Sequence, residues 1–543
     1  MGAPVPPRLR FKCHRNPKKN HPLKTIPSPL SPDSSTATGL PPSRPIGRSS
    51  IVRQSILLLA AASRLWSAPT PPADEPTLGP ITQPLRALPN KHNYFSDGSG
   101  KAVYLTGSHT WNTLQDWGTD GVVQPTDFAA FVHMLVSHNN NFTLLWATEL
   151  PTFHGLPTRA GPSPDITVTP QPWVRVGPGN ASDGKPKFDL TKFNQAYFDR
   201  LRERTAQLNS AGIYAGIYFF TGEWINIFRF PNDGYPLTGS NNINGVDDGG
   251  GTGSVTMTAP NAVTAVQDAY VRKVIDTLND LPNVLWGVSE EAPGNSMWWN
   301  SHLISLTRSY EAGKPLQHPI GYPVRIDNDD PSLVDSDADW IAPVARISPV
   351  NNCGSGKPSC KVCINDSDHS YWGMWNDSPR TNRSFFWTNF TYGNQTIFMD
   401  PYVLYYPREN RNLTPSPKNG ISAEPDARWE NVRATMGYIR GYADRMNLAA
   451  MSPRAGMSGT SHVIANLNAA GAEILAYSPY GGPIDLNLEG CNAQFAVEWL
   501  NPSTGAKTPA ADVSGGAKRM LTPPFDGDAV LYLKARSPAA QAH

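Results

Sequence analysis

Two adjacent carboxylates, Glu290 and Glu291, follow the short apolar run Asn283–Ser289 (NVLWGVS) and precede a turn signal at Pro293-Gly294. Such a run reads as a buried strand, and carboxylates just past the carboxyl end of a strand sit where α/β folds gather their chemistry. A second run, KVCIND, brings Asp366 and then Asp368 to a strand end, and a third, TIFMD, ends on Asp400. Cleavage of a glycosidic bond needs two carboxyl groups: one protonates the leaving oxygen, the other attacks carbon or activates water. Strand alternation places Leu285, Gly287, Ser289 and Glu291 on one face and Trp286, Val288 and Glu290 on the other. The small-residue face suits a crowded barrel interior, so Glu291 is expected over the barrel mouth. By the same reasoning Val362, Ile364, Asp366 and Asp368 share a face directed at outer helices, unless a bulge at Asn365-Asp366 reverses it. Asp366 ranks ahead of Asp368. Asp400 is a third candidate, although an Asp before Pro at a strand end also suits a turn.

Further polar and aromatic residues collect at strand ends: His109 and Trp111, Trp146 and Glu149, Glu223 and Trp224, His318, His369, and Tyr402. Flat aromatic faces pack against the apolar faces of sugar rings, so these residues are candidates for substrate binding. Each taken singly fits a core or a cap equally well. Other chemistries lack their motifs: there is no H-E-x-x-H, no Walker loop and no G-x-S-x-G elbow. Of the five cysteines, Cys353 and Cys360 could close a local disulfide and Cys363 suits a buried thiol. The spacing C-x6-C-x2-C lacks a nearby fourth zinc-type ligand, and neither a metal nor another cofactor is expected.

The elements that must hold these groups alternate. Strand-like runs AVYLTG (102–107), FTLLWA (142–147), IYAGIYFF (213–220), VLWGVSE (284–290), LQHPIG (316–321), DWIAPV (339–344), KVCIND (361–366) and TIFMD (396–400) are interleaved with helix-like segments. Eight such strands over residues 92–447 predict a (β/α)8 TIM barrel. One link has no convincing helix, between Asp339 and Lys361. The helix Arg428–Met446 would close the barrel, and short strands separated by Gly, Pro and Asn turns predict a small all-β sandwich over 448–537. Ahead of the barrel, residues 1–50 hold eleven prolines and nine Lys/Arg against one acid, Asp33, and read as a disordered arm or a mis-called translation start. Residues 51–68 have the basic start, apolar centre and small-residue end of a secretory signal. A Pro-rich linker, 69–91, follows. The 46 basic and 45 acidic side chains of this 543-residue chain give a formal charge of +1, which points to neither nucleic acid nor an anionic membrane surface. No stretch is long and apolar enough for membrane insertion. The expected partner is an oligo- or polysaccharide.

The motifs GSHTW (107–111), NNINGVD (241–247), VSEE (288–291), INDSDHSYWG (364–373), FTYGNQTIFMDPY (390–402) and FAVEWLNPSTG (495–505) resemble those of apiosidase-like glycoside hydrolases. The resemblance spans about 92 to 537. It implies a clan-A-like TIM barrel followed by a β-sandwich of the collagen-binding type. It also implies a retaining enzyme, while the signal-like segment points to a secreted or periplasmic one. Glu291 then takes the acid/base place after the fourth strand, with Glu290 where Asn is usual. The nucleophile comes from the seventh strand as Asp366 or Asp368. Asn242 and Trp372 join the substrate-binding candidates through the same motifs. The alternative expectation is a non-catalytic carbohydrate- or matrix-binding protein with a degenerate barrel.

Overall fold

The computed structural model describes residues 79–88, 93–119, 121–154, 165–323, 331–343, 361–367, 379–403, 424–468 and 471–536. Eight parallel strands form one sheet: β1 (Thr106–His109), β2 (Phe142–Leu145), β3 (Tyr214–Thr221), β4 (Val284–Glu290), β5 (Ile320–Pro323), β6 (Trp340–Ala342), β7 (Val362–Asp366) and β8 (Gln395–Met399). Hydrogen-bonded neighbours run β1-β8-β7-β6-β5-β4-β3-β2. The ring is closed between β1 and β2 largely by one side chain. Asn141 Oδ1 accepts from the Thr106 amide at 3.0 Å, its Nδ2 donates to Tyr104 O at 2.9 Å, and its own amide donates to Thr106 O. Gly107 permits this approach, since a Cβ there would lie 2.1 Å from Phe142 O.

Two strands start later than their sequence pattern suggests, for identifiable reasons. Val103, expected in β1, instead bridges Phe95 in a hairpin. Leu316 and His318, expected in β5, are held outside the sheet by the side chains of Asn279 and Glu311. The segment between β6 and β7 that showed no helix, like the Cys353–Cys360 pair and the signal-like segment, lies outside the described residues. Cys363 is a buried thiol as expected.

The connecting helices are α1 (Phe128–Ser137), α2 (Gln195–Ser210), α3 (Ala262–Leu278), α4 (Met297–Glu311), α5 (Pro331–Asp335) and α6 (Pro379–Thr391), with α7 (Glu430–Arg445) after β8. Their starts follow capping chemistry. Asp127 accepts from the Ala130 amide, and Asn261 and Thr264 form a reciprocal capping box on α3. Apolar residues of α1 to α5 share one large core with the strands. Between β1 and β3 the chain adds a three-stranded sheet (Asp116–Thr119, Thr152–His154, Asp165–Thr169) and a long hairpin (Trp173–Asn180 with Pro186–Phe193).

Strands from Ser452 to Ala535 make a six-stranded antiparallel sheet and a two-stranded one. A second core joins them to the barrel: Phe385, Trp387 and Phe390 of α6 and Met436 and Tyr442 of α7 pack on Leu475, Tyr477 and Tyr532. An ion pair is sealed in this junction. Arg383 donates to Asp528 from Nε at 3.1 Å and from a terminal nitrogen at 2.6 Å, and the Tyr477 hydroxyl adds a third donor. Both charged side chains are almost fully buried. Removing one partner strands the other, which costs about 3–5 kcal/mol. Asp528→Asn is therefore expected to lower the thermal midpoint of the barrel and the sandwich together, as read by calorimetry. A loss confined to the sandwich transition would show that the junction does not couple them.

Candidate active site

The carboxyl ends of β1, β2, β3, β4 and β7 converge on one cluster. His109 ends β1, and its Nε2 stands 2.8 Å from Oδ2 of Asp366, which ends β7. The ring N–H is not aimed along the line between the two atoms, so the contact is a close electrostatic one and not a linear hydrogen bond. Trp146, just past β2, donates its indole N–H to Nδ1 of His109 at 2.8 Å. An indole nitrogen can only donate, so Nδ1 carries no proton, and the imidazole is neutral with its proton on Nε2. That proton lies on the side of the ring nearer Asp366.

Tyr218 of β3 fills the centre of the cluster. Its ring packs against Trp146 and Trp340, at centroid distances of 5.3 and 6.1 Å. It also lies over Gly287 of β4, where a Cβ would come within 2.3 Å of it. Burial first, then the charges of Glu290 and Asp366 and a hydrogen bond to Glu290, push its hydroxyl far above the usual range. The hydroxyl therefore stays protonated and donates to Glu290. Both Glu290 and Asp366 are almost fully buried.

This geometry corrects the face assignments made from alternation. Gly287 faces inward as expected, but Ser289, placed on the same face, donates to Asn300 on α4 at 2.7 Å. Its strand partner Phe220 likewise packs on helix residues Tyr270 and Trp299. The paired strands thus change face together beyond Tyr218 and Gly287, which turns Glu290 inward. Glu291 follows with a left-handed backbone, φ 43°, and is partly exposed. A non-glycine residue in that region is held there by its surroundings at some cost. On β7, pairing to β8 runs in register through Ile364, Asn365 and Asp366. Asn365 donates to Asn389 on α6, so Asp366 faces inward and no bulge is required.

Several other candidates lie elsewhere. His318 precedes β5 at the opposite, amino-terminal end of the barrel, bonded to Glu311 and to Leu281 O. Asp400 is fully buried and accepts two hydrogen bonds from Arg433, at 2.6 and 2.8 Å, so its charge is already committed. Tyr402 packs edge-on against Phe131 of α1. Asn242 donates to Pro236 O, Thr238 O and Val246 O, the pattern of a residue that shapes its own loop. Trp224 is buried in an aromatic cluster with Trp117, Phe153 and Phe228. Trp111 stacks on Trp117 of the same cluster, and Glu223 is half-buried in the first turn of the short helix Gly222–Ile227. Asp368, His369 and Trp372 lie outside the described residues. Among the described residues no group of acids, histidines and cysteines could hold a metal ion.

Sequence reasoning passed over Tyr218, hidden in an apolar run; its signal was Gly287, the gap on the paired strand that a large ring fills. Glu149, a strand-end candidate for substrate binding, is instead a buried acid. Burial pushes this carboxyl up to about 8, against the opposing hydrogen bond from the Thr221 amide at 2.7 Å. Its other oxygen is buried without a hydrogen-bond partner. The folded state then keeps a proton that the unfolded chain releases above about 4.5, so stability from this group falls as pH rises from about 4.5 to about 8. Glu149→Gln preserves an acceptor for Thr221. It is expected to remove that loss, giving a higher thermal midpoint than wild type at pH 8 and a smaller difference at pH 5. An equal difference at both values would contradict a buried neutral acid.

Residues 454–534 match the family described as "Putative collagen-binding domain of a collagenase". No curated protein matches the chain. Among solved structures, one described as a glycoside hydrolase superposes with a TM-score of 0.52 at 11% identity, covering 84% of this chain and 98% of its own. A glycoside hydrolase family 5 protein from Bacteroides vulgatus ATCC 8482 gives a TM-score of 0.53 at 11% identity, covering 84% and 95%. At such identities the likeness is one of fold. The chain has a TIM barrel of the kind found in glycoside hydrolases, followed by an all-β region that carries the collagen-binding-domain match.

Proposed function

We propose that the chain is a secreted glycoside hydrolase of the apiosidase-like type, acting on a plant or microbial polysaccharide with retention of configuration. The observation that carries this reading is the Trp146–His109–Asp366 arrangement at the end of β7, with Glu290 at the end of β4 bearing on the same tyrosine, Tyr218. It offers what glycoside cleavage requires: one carboxyl group oriented by its neighbours and a second from the end of β4. Asp366 attacks the anomeric carbon while Glu291, the more exposed of the β4 pair, gives its proton to the departing oxygen. The glycosyl–Asp366 ester is then hydrolysed by water whose proton Glu291 takes back. Trp111 and Glu223 are proposed substrate contacts. Export is proposed from the signal-like stretch 51–68 alone.

A hydrolysis screen over aryl glycosides and cell-wall polysaccharides tests the proposal. Sustained release of reducing sugar is expected for at least one class. Binding without turnover across the panel would overturn the enzymatic reading and favour a carbohydrate-binding protein.

A further inference from the structure

β4 ends on Glu290 with Glu291 next in the chain, β7 ends on Asp366, and the two-carboxylate mechanism assigns no task to Glu290. Yet Glu290 is only 1% exposed, and a buried carboxylate is costly unless it is hydrogen-bonded. Tyr218 supplies the bond. Its ring is fixed between Trp146 and Trp340 and against the bare backbone of Gly287, so the direction of its hydroxyl is set by packing. The hydroxyl has one proton to donate, and that proton goes to Glu290. A donor offered to a carboxylate favours its ionised form.

We propose that Glu290, held as an anion by the Tyr218 hydroxyl, is a positioning residue whose charge keeps the adjoining Glu291 in its acid form. The inference rests on Glu291 being the proton donor. The groups facing the pair from neighbouring elements act in the same sense or are neutral. Asp366 from β7 is a second buried carboxyl group, whose charge bears on Tyr218 as that of Glu290 does. His109 from β1 is neutral because Trp146 occupies its second nitrogen. Tyr218 from β3 is neutral. Glu223 adds a further carboxyl beside Gly222, which packs against Ala292. At about 6–8 Å and an effective dielectric near 20, one negative charge moves a neighbouring carboxyl by roughly 1–2 pH units. The chain thus places a charged residue next to its acid, and the expected result is a proton donor that stays loaded toward neutral pH.

The test is the pH profile of kcat/KM for Glu290→Gln on the substrate found in the screen, with Tyr218→Phe examined by infrared carboxyl titration. In Glu290→Gln the basic limb is expected to fall by about one pH unit, because Glu291 loses its proton sooner. In Tyr218→Phe the Glu290 carboxyl, assigned by its absence when Glu290→Gln is combined with Tyr218→Phe, is expected to ionise at higher pH than in wild type. A basic limb that does not move overturns the inference while leaving hydrolysis by Asp366 and Glu291 intact. Selective loss of poor-leaving-group substrates in Glu290→Gln, with activated glycosides spared, would make Glu290 the donor itself and also overturn it. If wild type hydrolyses nothing, the proposed function fails. The infrared titration still decides whether Tyr218 holds Glu290 as an anion. Should Glu290→Gln not fold, Tyr218→Phe, which removes a single oxygen, carries the test through its own titration.

Discussion

Asp366→Asn is expected to abolish turnover of every glycoside the wild type accepts, activated and unactivated alike. The amide keeps the shape of the side chain but cannot attack an anomeric carbon. The loss should be on the order of 10⁶-fold, the scale seen when a covalent mechanism loses its nucleophile. The fold should survive, because Asp366 makes its close contact with a neutral imidazole, and removing the charge leaves no buried cation unpaired. Binding of substrate should change little, so the loss falls on kcat. Steady-state kinetics beside a thermal melt checks both halves. A variant that retains more than a few per cent of wild-type kcat would show that the attacking carboxylate lies elsewhere, with Asp368 the first alternative.

Glu291→Gln carries the second large effect, and its size should depend on the substrate. Removing a general acid costs about 10²–10⁴-fold where the leaving group needs protonation. Aryl glycosides with acidic leaving groups need little protonation and should lose far less in the glycosylation step. The ratio of kcat/KM between the two kinds of substrate is the quantity to measure. A uniform loss would point to a structural role for Glu291. A selective loss in Glu290→Gln instead would move the acid one residue toward the strand.

The barrel and the sandwich were legible because their periodicities are strong: eight apolar runs alternate with helical faces, and short strands follow at regular spacing. Element edges were less so. Val103 and His318 carry strand-like neighbours, yet a hairpin bridge to Phe95 and the buried carboxylate of Glu311 claim them first. At the site, residue types were readable but side-chain directions were not. Glu290 was assigned outward from alternation, which assumes a regular strand. The face change shared by β3 and β4 depends on what Phe220 and Ser289 find on the helices outside, and nothing local encodes that. Asp366 had the same difficulty in reverse, since the small face of β7 is the outer one, where Asn365 meets Asn389. Asp400 looked catalytic because the cation that neutralises it, Arg433, lies 33 residues away on α7. Long-range partners of this kind decide whether a strand-end acid acts or is merely paired.

The most direct test of a two-carboxylate mechanism centred on Asp366 is to trap its covalent intermediate. Wild-type protein would be incubated with a 2-deoxy-2-fluoro glycoside of the sugar found in the screen, which slows release of the glycosyl group, and the digested protein mapped by mass spectrometry. The expected result is one fluoroglycosyl group per chain, on the side chain of Asp366, and none in Asp366→Asn. A label on Glu290 or Glu291, or hydrolysis that proceeds with inversion and leaves no label, would contradict the assignment of Asp366 as nucleophile.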